Sequence, residues 1–203
     1  KGLIASNKAT TLTTQTLNNN GGTIAGNAVD INTSGQNLSS VAGVIASSTT
    51  LNINSGALNS DKGSIQSGGN MVLNTNGQAL INTNGDATTG KGILSQGTMT
   101  LNTGDLDNTA GYIAAAGKTS ITSSSLTNNA TGTGASAAKG TIISNDELTI
   151  TTTVGGLANV GGQIQSAKNL SLSIKGGLDN TQGLVASSAE VDISAASIDN
   201  KNT

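Results

Sequence analysis

The 203-residue chain has no cysteine, histidine, proline, arginine, phenylalanine or tryptophan, and its one tyrosine is Tyr112. Each absence closes a route. Without cysteine there are no disulfides, and without cysteine or histidine there is no Ser–His or Cys–His nucleophile pair and no His- or Cys-ligated metal. Nine lysines stand singly against eleven acids, for a net charge of −2. No basic patch or stacking aromatic is present, which argues against a nucleic-acid partner. No apolar run reaches membrane-spanning length. No residue pattern calls for a cofactor. Large aromatics normally fill much of a globular core. Here the apolar third is nearly all Ala, Val, Ile and Leu, which suits a thin core lined by β-branched side chains.

What is present is glycine, 28 of them, with Ser, Thr and Asn. Such a composition can signal disorder, but disordered chains have no reason to place Ile and Leu at fixed intervals, and this chain does. A glycine followed two residues later by an aliphatic residue recurs nine times. The glycines are Gly2, Gly22, Gly43, Gly63, Gly92, Gly111, Gly140, Gly162 and Gly183. The paired aliphatics are Ile4, Ile24, Ile45, Ile65, Leu94, Ile113, Ile142, Ile164 and Val185, and they form the expected core column. Successive spacings are 20, 21, 20, 29, 19, 29, 22 and 21 residues. A second aliphatic follows in each copy (Leu12 through Ile193), then a third (Leu17 through Ile198). Two residues beyond the third stands Asn19, Asn82, Asn108, Asn128, Asn159, Asn180 or Asn200, with Ser40 and Ser60 in the other two copies.

Apolar and polar positions alternate inside each copy, as in Leu51-Asn-Ile53-Asn, and period two means strand. A copy of about 20 residues is too short for a strand–helix–strand crossover. It suits one coil of short strands, each pairing with its equivalent in the next coil. The expected fold is therefore all-β: a parallel β-helix of nine coils, right-handed by the usual handedness of parallel connections. At roughly 4.8 Å per coil the rod is about 43 Å long. Glycine is expected at a corner with φ > 0, and the Asn column at a second corner where asparagine tolerates left-handed backbone and bonds along the stack. The whole of 1–203 reads as a single β-helical segment. It opens inside a repeat without a signal-peptide pattern, which suggests a fragment of a longer fibre.

The Gly43-Val-Ile45-Ala-Ser47 opening and the Leu178-Asp-Asn180 close, met copy after copy, resemble filamentous-haemagglutinin repeats. These occur in two-partner-secreted bacterial exoproteins, including haemagglutinin adhesins and contact-dependent growth inhibition effectors. The resemblance covers essentially the whole chain. It implies export through an outer-membrane transporter partner, secretion to the bacterial cell surface, and a role as a non-catalytic shaft.

Three features bear on function. The two long spacings place loop insertions at 83–91 and 129–139, leaving the rod on one edge, where solenoids often build a binding face. Beside that edge Ile93, Tyr112 and Ile143 are expected to point outward as an apolar patch. The loops would either cover that patch or join it in contacting a host or neighbouring-cell receptor. Finally, Asp179 and Asp199 fall at one position of adjacent coils, with Asp107 at the same place further back. A glycan-active β-helical enzyme could use such a pair as acid and base, although the sugar-binding Trp and Arg residues are missing. A solvated surface is the plainer reading of these carboxylates.

Overall fold

The computed structural model describes residues 2–132 and 137–202. Each coil holds three short parallel strands, as in Val44–Ser47, Leu51–Asn54 and Leu58–Asn59. The first strands of all coils form one nine-stranded sheet, ordered as the chain runs. The second and third strands form another sheet and merge in the last two coils, over Leu170–Asp179 and Val191–Asp199. All inter-strand pairing within the two sheets is parallel and coil to coil, so the chain is a β-solenoid.

Burial follows the alternation. In Leu51–Asn54, Leu51 and Ile53 are buried and Asn52 and Asn54 exposed. Ile4, Ile24, Ile45 and Ile65 are successive partners, as are Ile113, Ile142, Ile164 and Val185. With the second column (Ile31, Ile53, Leu73, Leu101) and the third (Leu38, Leu58, Leu80, Leu106) the members from Ile24 to Ile164 form one continuous core, against which Val185 packs half-buried, while Ile4 in the first coil is exposed. Each well-buried member contributes roughly 1.5–3 kcal/mol.

One copy departs from the expected register. Ile93, not Leu94, pairs with Ile65 and Ile113 and is fully buried, while Leu94 pairs with Gln66 and Ala114 on the outer face. Leu94 therefore leaves the core column, and Ile93 leaves the surface patch. The cause is the insertion, which delivers Lys91 rather than a glycine to the corner and leaves Gly92 opposite Ser64. Leu94 alone satisfies the glycine rule, since Lys91 stands two residues before Ile93, so the rule points to the wrong one of two adjacent aliphatics. The serine two residues beyond the core aliphatic marks the right one, because Ser67 pairs with Ser95 and both are buried.

Apart from Gly92, which has the expected positive φ at 125°, the corner glycines serve a different purpose from the one expected. Gly43, Gly111, Gly162 and Gly183 do not have positive φ; the left-handed position is the residue before, occupied by Ala42, Ala110, Gly161 and Gln182. Each corner is a four-residue turn closed by a glycine N–H, such as Gly111 to the Asn108 carbonyl at 2.9 Å. Its left-handed third residue is the feature of a type II turn. The glycine is needed because the neighbouring coil is too close for a side chain: a Cβ on Gly111 would lie 1.8 Å from the Asn82 carbonyl oxygen. The corner asparagines are not left-handed either.

Candidate functional site

The corner asparagines point into the rod, where they make an amide ladder. Asn82 Nδ2 donates to Asn108 Oδ1, Asn108 to Asn128, Asn128 to Asn159 and Asn159 to Asn180, each at 2.7 Å, and Asn180 to Asn200 at 2.8 Å. The second Nδ2 hydrogen goes to a backbone carbonyl: Tyr112 at 3.1 Å, Thr141 at 3.2 Å, Gln163 at 3.0 Å and Leu184 at 3.2 Å. Both amide hydrogens are thus used, which fixes the direction of every side chain. Aligned amides in a buried interior polarise one another. Their role is to tie coil to coil.

A set of buried hydroxyls at the strand-one corner also ties the coils. The Ser67, Ser95 and Ser144 hydroxyls each sit between two carbonyls, one three residues on (Asn70, Thr98 and Glu147, at 3.0 Å) and one in the preceding coil (Thr49 at 3.0 Å, Gly69 at 2.7 Å and Gly117 at 3.0 Å). The Ile-x-Ser spacing is the signal that finds them.

The outer face of the first sheet carries a shallow hollow lined by Leu94, Tyr112, Ala114 and Ile143 among others, all four half-buried. Among the described residues, neither insertion lines it. Loop 83–91 instead leans on the preceding coil. Gly90 O accepts from Ser64 Oγ at 2.8 Å and Gln66 Nε2 at 2.7 Å, while Asp61 Oδ1 accepts from Thr83 Oγ1 at 2.7 Å and Asn84 Nδ2 at 2.6 Å. Within the loop, Asp86 and Lys91 exchange backbone bonds at 3.0 Å around a short 3-10 turn, Ala87–Thr89. Loop 129–139 has a matching bridge between Thr131 and Ala138; its residues 133–136 lie outside the described ones.

Burial works against ionisation of Asp61, but the hydrogen bonds from Asn84 and Thr83, with Lys62 nearby, outweigh it and hold the carboxyl below its ordinary value. A lowered native pKa means anchoring that is complete above the ordinary carboxylate pKa near 3.8 and lost as pH falls through the native value. Asp61→Asn should therefore speed amide exchange at Asp86 and Lys91 severalfold at neutral pH and leave the unfolding midpoint of the rod nearly unchanged. Exchange in the native chain should rise toward the variant's only below that window. Equal exchange in the two proteins at pH 7 would show that Asp61 does not hold the loop.

The carboxylate column has a local use. Asp107 Oδ1 accepts from Thr109 N at 2.9 Å and Asp179 Oδ1 from Thr181 N at 3.0 Å. Asn18 and Asn59 make the same bond at 3.0 Å in other coils. These are Asx turns, which need a side-chain oxygen rather than a charge. Asp199 pairs with Lys201 at 2.7 Å. Among the described residues, no three acidic side chains gather where a metal could sit.

No curated protein and no solved structure matches the chain. A family model described as the haemagglutinin repeat matches residues 1–41, 24–86, 75–149, 124–182 and 165–203, overlapping stretches that together span the whole sequence.

Proposed function

We propose, since this chain belongs to the haemagglutinin repeat family, that it is a structural and adhesive shaft segment of a large secreted bacterial surface exoprotein. It would pass an outer-membrane transporter on export and hold a distal binding or toxic module away from the cell. The observation that carries this reading is the unbroken coil-to-coil register: strand one of every coil pairs residue for residue with the next, across both insertions. Such a rod transmits position. Its outer surface is mostly Ser, Thr and Asn, which supplies few of the aromatic and Arg anchors that dominate binding energy.

The absence of native cysteine makes spin-labelling straightforward. Labels at Thr13 and Asn102, then at Thr13 and Ser194, should give narrow distance distributions differing by about 19 Å, four coils at roughly 4.8 Å each. Broad distributions would remove the stiff-spacer reading.

A second reading rests on the hollow at Leu94, Tyr112 and Ile143, beside the two loops, as a receptor contact. Charging Ile93 is not a fair test, because that side chain is in the core. Leu94→Asp with Tyr112→Asp charges the surface alone. Under the shaft reading the chain's retention on host or neighbouring cells is the same with and without these changes. Loss of retention by the folded variant would favour the receptor segment.

A further inference from the structure

The amide ladder is broken at one place. Ser40 and Ser60 replace asparagine in two successive coils. Ser40 is accommodated, since its Oγ accepts from Asn19 Nδ2 at 3.1 Å. Ser60 is not. Its Oγ and the Oδ1 of Asn82, next in the column, are both buried without a hydrogen-bond partner. Asn82 cannot turn to relieve this, because its Nδ2 is committed to Asn108 and to the Tyr112 carbonyl. A buried orphan acceptor costs about 1–3 kcal/mol, and buried polar atoms without a protein partner are where internal waters sit.

The missing group can be specified from the intact rungs. Elsewhere the Nδ2 that fills this space donates to the Oδ1 above it and to the carbonyl of the first outward residue two coils on, as Asn108 does to Asn128 and Thr141. By register, the equivalent acceptors for the Ser60 coil are Asn82 Oδ1 and the carbonyl of Gly92, which pairs with Ser64. Serine has two heavy atoms fewer than asparagine, which leaves room where the amide nitrogen would lie. We infer that one buried water molecule occupies this gap, donating to Asn82 Oδ1 and Gly92 O and accepting from the Ser60 hydroxyl. Three bonds is the usual number for an internal water. The water thus carries the ladder across the coil from which loop 83–91 departs.

The test is to supply the amide covalently. In Ser60→Asn the new Nδ2 takes the water's bonds and the new Oδ1 faces the Ser40 hydroxyl, making the column continuous from Asn19 to Asn200. The unfolding midpoint should rise by about 2–4 °C, the shift expected for 1 kcal/mol in a chain of this size. Ser60→Ala, which removes one ligand of the water, should lower it. A high-resolution crystal structure of the native chain should show a single solvent peak within hydrogen-bond distance of all three oxygens, absent from Ser60→Asn. An empty gap in that crystal would overturn the inference, whatever the variants do. So would a midpoint that depends on potassium or ammonium against sodium at fixed ionic strength, because three oxygens could equally hold a monovalent cation.

Discussion

Gly162→Ala should destabilise the rod by more than about 4 kcal/mol, a size reserved for substitutions the fold cannot absorb, while Gly161→Ala, one residue earlier, costs roughly 1–2 kcal/mol. Intuition from backbone angles gives the reverse order. Gly161 is the left-handed residue, with φ 65°, and Gly162 is not. But the left-handed site is far less crowded: the one atom near a new Cβ is the Ala130 methyl carbon at 3.0 Å, a tight contact that a small shift of that side chain relieves. Ala42, Lys62, Ala110 and Gln182 already hold that conformation at equivalent corners. A Cβ on Gly162 would lie 1.8 Å from the Asn128 carbonyl oxygen and 2.5 Å from Asn159 Oδ1. These are backbone and a hydrogen-bonded amide, and neither can swing away. Relief requires parting two coils, which breaks the Gln163 N–H bond to Gly140 O at 2.8 Å and the Asn128 bond to Gln163 O at 3.0 Å. Chemical unfolding of the two variants decides the matter. Equal losses would mean that close approach between coils is not why glycine recurs here.

The same contrast shows what could be read from residues alone. Column membership was legible wherever polar and apolar residues alternate, because a one-residue slip would turn every aliphatic outward. At Ile93-Leu94 alternation fails, and a rule anchored on glycine chose the wrong one of two aliphatics. Counting back from Ser95 would have placed the register, since the inward serine tolerates no such exchange. The asparagine column was visible as a spacing, but its orientation was not, because a corner residue can turn inward or adopt left-handed backbone with the same periodicity. Which of the two occurs depends on the distance to the next coil, a tertiary quantity. The loops show a similar limit: their positions follow from spacing, whereas the bonds that anchor loop 83–91 to Asp61, Ser64 and Gln66 involve residues about 20 or more positions upstream. The Asp179 and Asp199 carboxylates lie in adjacent coils as their spacing implies. What spacing could not convey is that Asp179 is engaged by the Thr181 amide.

Asn108→Asp should turn the ladder into a pH-dependent clasp with a sign opposite to that of the native acids. Asn108 is fully buried, donates to Asn128 Oδ1 and the Thr141 carbonyl, and accepts from Asn82 Nδ2. An aspartic acid of nearly the same shape can donate upward only while protonated. Ionised, it would face the Asn128 oxygen and the Thr141 carbonyl with no hydrogen to offer, in a fully buried site. Desolvation therefore raises its native pKa, by about 3–5 units for a fully buried acid. Between the unfolded value near 3.9 and that raised value the native state holds a proton the unfolded chain has released. Stability then falls as pH rises, by about 1.4 kcal/mol per unit, for a total of roughly 4–7 kcal/mol. Asp61, Asp146 and Asp179, whose carboxyls are held below the ordinary value, contribute in the other direction, losing their stabilisation only in acid. Asn108→Leu, which removes the same bonds without adding a titratable group, should be destabilised equally at all pH values relative to the native chain. Unfolding midpoints of the three proteins between pH 4 and pH 8 separate the cases. Parallel curves for the Asp and Leu variants would show that this position does not donate within a closed amide column, and the coils would then be joined by their strands alone.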